Sequence, residues 1–231
     1  MKRIIALMIV AALCVCALTS CDLFGKTESV LDDVATMYSK SSPTKVVATT
    51  VQKIGSYELN CSYEIVTGYV DNSLASVYTV STEELRTVDE GGANDEVKDM
   101  IKTTVNKTEA IEGFGSRTNG GDWNPEGSVW TVGRGRMAIN LVEDAVTNVQ
   151  YDANTKTLTF VVPAANVATV FGADFSASMC SDVEVKIVND GANVTSIDLH
   201  YYLAGDGANL AESEMTVSVL YTYDLERITI E

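Results

Sequence analysis

Few side chains in this 231-residue chain have the type and spacing for chemistry. His200 is the only histidine. One imidazole cannot build a multi-histidine metal set, and the alternation around Leu199 and Tyr201 turns it to the wet side of a strand, away from a nucleophile–histidine–acid triad. The 32 acidic residues allow carboxylate pairs of the glycosidase kind, but their dispersal reads as a solvated acidic face. Asp152-Ala-Asn154 and Asn189-Asp190-Gly191 carry oxygen ligands without EF-hand spacing, and turn chemistry accounts for them. No glycine pattern has the spacing of a phosphate-binding loop. The expectation is a non-enzymatic protein with no catalytic residue, metal site or cofactor.

Cysteines and tryptophans supply the remaining candidates. Of the five cysteines, Cys14 and Cys16 lie in an N-terminal apolar run and Cys21 closes it. Cys61 and Cys180 form either one disulfide, closing a loop worth about 4–5 kcal/mol in the chain-entropy model, or two small buried hydrophobes. Both tryptophans, Trp123 and Trp130, fall in the stretch 113–136, with seven of the sixteen glycines. The stretch reads as a long loop or a loose hairpin, and aromatic rings there suit a binding lip. Alternatively, Trp130, between Val129 and Val132, starts a strand and packs inward.

The N-terminus carries an address. Lys2 and Arg3 precede fifteen nearly all apolar residues, Ile4 to Leu18, and no acid appears before Asp22. A positive start, a short apolar segment and small residues describe a signal peptide over 1–20, and the run is short for a membrane span. The order Leu18-Thr19-Ser20-Cys21 resembles the lipobox of bacterial lipoproteins. That resemblance implies a diacylglyceryl group on the Cys21 sulfur, cleavage between Ser20 and Cys21, and attachment to the extracytoplasmic face of the cell membrane through lipid. Asp22 resembles an inner-membrane retention signal of two-membrane bacteria. Residues 21–26 would be a short spacer, reaching about 20 Å when extended.

Without residues 1–20, which contain Lys2 and Arg3, 14 basic residues face 32 acidic ones, a net charge of −18. Such a surface repels nucleic acid and anionic headgroups. The chain is therefore not expected to bind nucleic acid, and its membrane contact must come from lipid.

One domain, 27–231, must position the rest. Leu31, Val34 and Tyr38 predict a helix over 27–40, with Thr27 or Ser29 as cap and Asp32 and Asp33 in its early turns. From Lys45 the period becomes two. Val47, Thr49 and Val51 alternate, then Tyr57, Leu59, Cys61, Tyr63 and Ile65; Gly68 and Asp71-Asn72 bracket a turn. Leu74 to Val88 reads as a less regular strand, with Tyr78 and Val80 on opposite faces. Residues 97–112 fit helix or strand, with Thr and Val favouring strand. Met137 to Val146 is a short strand or helical turn. Leu158, Phe160 and Val162 form a strand stopped by Pro163, followed by a short helix near 164–171 and Gly172. Val183 to Ile187, Ile197 to Leu203 and Met215 to Leu225 alternate cleanly around the Asn189-Asp190-Gly191 and Gly205-Asp206-Gly207 turns.

The fold class expected is mainly β (α+β): a strongly curved antiparallel sheet or half-barrel of about 8–10 strands, apolar on one face. The element order resembles the LolA/LolB-like lipoprotein-carrier half-barrels, as do Thr195-Ser-Ile-Asp-Leu-His-Tyr-Tyr and Val217-Ser-Val-Leu-Tyr-Thr-Tyr. That resemblance implies an apolar small molecule or lipid in the concave face. The alternative is a cell-envelope module with a filled core that binds protein or glycan through the loop 113–136. No protein partner is specified.

Overall fold

The computed structural model describes residues 23–40, 42–55, 57–89, 96–127, 137–172, 181–204, 212–224, 226–228 and 230. Helix α1 (Leu23–Lys40) leads into two antiparallel meanders. The first comprises β1 (Lys45–Ile54), β2 (Tyr57–Val70), β3 (Ser73–Asp89), β4 (Glu96–Ile111) and β5 (Gly115–Thr118). The second comprises β6 (Thr147–Asp152), β7 (Thr157–Val162), helix α2 (Val167–Phe171), β8 (Val183–Asn189), β9 (Val194–Leu203) and β10 (Ser213–Thr222). The strands form one sheet in the order β5-β4-β3-β2-β1-β10-β9-β8-β7-β6, and a two-residue β11 (Glu226–Arg227) pairs in parallel with β2. The edges β5 and β6 do not meet, so the sheet is an open, curved half-barrel, as its alternation implies.

The seam between the meanders is the β1–β10 pair, from Lys45↔Thr222 to Lys53↔Glu214. The chain thus starts in mid-sheet, runs out to β5 and must cross to the far edge at β6. Ten strands spaced about 4.8 Å apart would place those edges about 43 Å from one another if the sheet were flat. A long connection over 119–146 is therefore a topological requirement. Its described end does structural work, since Leu141, Ala145 and Val146 enter the core, with a single 3-10 turn at Glu143–Ala145.

In β7 and β8 the core fills the inner face where the pattern predicts, whereas in β1 the buried residues are Val46 and Ala48, on the face opposite the alternating Val47, Thr49 and Val51. Leu158, Phe160 and Val162, then Val183, Val185 and Ile187, are at most 3% exposed. Leu31, Val34 and Tyr38 of α1 pack into the same cluster, as do Val167, Val170 and Phe171 of α2. Each such side chain contributes roughly 1.5–3 kcal/mol of burial. Gly172, at φ 89°, ends α2 in a conformation that favours glycine.

Several sequence expectations shift. Helix α1 begins at Leu23, so four residues of the expected 21–26 spacer are helical, and Thr27 and Ser29 lie inside the helix instead of capping it. Gly68 belongs to β2, opposite Ala75, and the turn is Asp71-Asn72 alone, at φ 55° and 103°. Strand β3 runs regularly until a register shift at Glu84/Leu85, so Tyr78 and Val80 share one face. Residues 96–111 are a strand, as their threonines and valines favour.

Candidate functional site

The inner face is not sealed. A cleft of about 540 Å³ opens between α1, the segment 137–140 and α2, lined by Ala35, Tyr38, Met137, Ile139, Asn140 and Val170 among others. Its walls are stitched together. Tyr38 Oη donates to the Met137 carbonyl at 2.5 Å. Asn140 N–H donates to the Val170 carbonyl at 2.7 Å. The Tyr38 hydroxyl has spent its proton, so Tyr221 Oη is the donor across the 3.0 Å contact between the two. Burial, then the neighbouring Tyr38, pushes the Tyr221 phenol far above its ordinary range, leaving it neutral. The volume falls within that of small-molecule sites, and the lining combines apolar walls with a few fixed polar groups. Beyond the helices, Leu59, Cys61, Tyr63 and Val80 continue the inner face only half-buried.

Trp123 is anchored, not free. Its ring lies 5.1 Å from the Arg117 guanidinium and edge-on to Phe114 at 4.7 Å. Arg117 Nε in turn donates to Glu109 Oε2 at 2.7 Å, and Lys107 Nζ lies 2.6 Å from Oε1. Glu109 is 3% exposed. Burial pushes its pKa up, but the hydrogen bonds and charges of Lys107 and Arg117 outweigh that and hold it below the usual glutamate value. Phe114, 55% exposed, is the ring this region offers to solvent. Close approach explains two of the glycines: a Cβ on Gly115 would lie 2.1 Å from the Asn124 carbonyl oxygen and one on Gly127 1.9 Å from Ser116 Oγ.

His200 lies on the outer face, as its alternation implies, but between two carboxylates. Nε2 is 3.0 Å from Glu214 and Nδ1 3.5 Å from Glu184. A second cavity of about 400 Å³ lies along this face. Single-strand alternation shows which residues are wet, but not their cross-strand partners. Strand register supplies Glu184 and Glu214, and sequence reasoning missed them. Among the described residues no group of three or more His, Cys, Asp or Glu is arranged to hold a metal ion.

Cys61 lies half-buried in β2, opposite Thr50 and Thr82, and is not in a disulfide among the described residues. Ser20, Cys21, Trp130 and Cys180 lie outside the described residues. No described helix is long and apolar enough to cross a membrane.

Fold and site together define an open antiparallel half-barrel with an inner cleft between two helices. No family model and no curated protein matches the chain. Among solved structures it is similar to a DUF1329 family protein from Desulfovibrio piger, at 9% identity and a TM-score of 0.27, over 87% of this chain and 95% of that one. It is also similar to a porin-like protein from Bacteroides uniformis, at 10% identity and a TM-score of 0.22, over 79% of this chain and 96% of that one. At these TM-scores neither likeness bears on what the chain does.

Proposed function

We propose that this is a lipid-anchored, non-enzymatic protein of the extracytoplasmic membrane face that holds an apolar chain in the cleft between α1, residues 137–140 and α2. The observation that carries this reading is the cleft itself. It is large enough for a lipid acyl chain and walled by Ala35, Met137, Ile139 and Val170, and hydrogen bonds tie its walls to one another. A lipidated Cys21 would keep the domain close to a supply of acyl chains.

Photolabelling tests it. Cells expressing the full chain would be fed a diazirine-bearing palmitate, irradiated, and the adducts mapped by mass spectrometry. Label is expected on peptides containing Met137, Ile139 or Val170, and Ala35→Trp should fill the cleft and abolish it. Label spread evenly over the domain, or unaffected by Ala35→Trp in a folded variant, would overturn the reading. The anchoring of Trp123 by Arg117 and Phe114 counts against the alternative of a free tryptophan lip.

A further inference from the structure

We propose that the outer face of β6–β10 binds a neutral, extended oligosaccharide laid across the strands. The wet face of an antiparallel sheet is polar by default. This one also contains a groove of about 400 Å³, and most of its polar lining residues fall in two parallel rows. Strand register places Gln150, Thr159, Lys186, Asp198 and Ser218 side by side, one per strand from β6 to β10. The second row runs Val161, Glu184, His200 and Thr216 from β7 to β10. Neighbouring strands lie about 4.8 Å apart, close to the advance per ring of an extended β-1,4-linked pyranose chain. Such a chain lying between the rows would meet a fresh pair of side chains at each strand from β7 to β10.

Charge selects a neutral ligand. Each carboxylate in or beside the groove already faces a partner. Glu184 and Glu214 flank the His200 ring, Lys53 Nζ lies 3.8 Å from Glu214, and Asp198 accepts from Ser218 Oγ at 2.6 Å with Lys186 4.0 Å away. A cationic ligand would have to displace these partners. An anionic polymer would be repelled by a chain of net charge −16. Gln150, Thr159 and Thr216 both donate and accept, which is what hydroxyl groups require. Tyr202 stands on the same face, 41% exposed and edge-on to His200 at 5.4 Å, and offers an aromatic surface for a sugar's C–H face. The groove is open, not enclosed, and so suits a segment of a longer chain.

The test is saturation-transfer NMR and calorimetry on the full chain, in a detergent without a sugar headgroup, with cellohexaose and chitohexaose as probes. Saturable binding of at least one is expected, with transfer strongest to interior rings. The double substitution Gln150→Ala/Thr216→Ala should weaken it about tenfold, as for one or two lost hydrogen bonds, without moving the urea midpoint; Tyr202→Ala should weaken it independently. Three results would each overturn the proposal: no saturable signal from either hexasaccharide at millimolar concentration, affinity unchanged by the double substitution and by Tyr202→Ala, or affinity lost only on Trp123→Ala. None of these substitutions touches the inner cleft, so acyl photolabelling there succeeds or fails separately.

Discussion

Glu109 shows how little of a side chain's role is visible in its own neighbourhood. In sequence it is one acid among 32, two residues after Lys107. Pairing of β4 with β5 sets Arg117 directly opposite, and Trp123 closes over the guanidinium. The carboxylate is the charged centre that holds the β5 edge and the aromatic pair together. Its folded pKa lies below the ordinary 4.5, so its ionised form stabilises the fold at neutral pH. That contribution is complete above the unfolded value and disappears as pH falls through the lower folded one. Glu109→Gln should therefore cost about 1–3 kcal/mol at pH 7 through weakened charge-assisted bonds. Urea midpoints of the two proteins should converge as pH falls below 4. A gap that stayed constant from pH 7 to pH 3 would show that ionisation of Glu109 contributes nothing. His200 teaches the complementary lesson: alternation gave its face, while the flanking Glu184 and Glu214 needed register.

Elements were the most legible scale. Alternation in 183–187, 197–203 and 215–223 marks buried faces because one side of each strand must leave water, and these positions are buried or, for Leu203, Val217 and Tyr223, packed partly buried against the core. Helix α2 was visible in Val167, Val170 and Phe171 with Pro163 before and Gly172 after. Element boundaries were harder to read, as the start of α1 at Leu23, ahead of both cap candidates, shows. The glycine-rich region was harder still. Composition left a long loop or a loose hairpin open; Gly115–Thr118 is a strand in a hairpin with β4, and Ser116 bridges Asn124 in both directions, at 3.0 and 2.7 Å. Gly115 makes that approach possible at φ 121° with no room for a methyl group. Gly115→Ala should push the 121–127 segment off β5. The expected signature is faster hydrogen exchange at Ser116 and Asn124, with a stability loss of more than about 1 kcal/mol. Unchanged exchange at both amides would mean the bridge does not depend on this glycine.

At the scale of the whole molecule, the sheet order explains features that had looked functional. Because the meanders meet at β1 and β10, the middle of the chain must cross the sheet, and crossing leaves the space between α1, 137–140 and α2 that we assign to an apolar ligand. That space belongs to no single element, so no periodicity could report it. The same architecture changes the picture of the anchor. Helix α1 starts two residues after Cys21, and its Leu31, Val34 and Tyr38 are core residues. A lipid on Cys21 would therefore join a core helix through a link of about 7 Å, instead of a flexible spacer reaching 20 Å. The domain would be held against the bilayer, and the cleft at Tyr38 would lie about 22 Å along α1 from Leu23, at 1.5 Å per residue. A chain lipidated on Cys21 and cut before it would carry a net charge of −18, so its affinity for a membrane would have to come from the lipid. Cys21→Ser should move the protein from the detergent-rich to the aqueous phase in cloud-point partitioning of cell extracts. Its urea midpoint should match that of wild type, because the substitution leaves Leu31, Val34 and Tyr38 in place. A Cys21→Ser protein that stayed in the detergent phase would refute lipid on this thiol as the attachment.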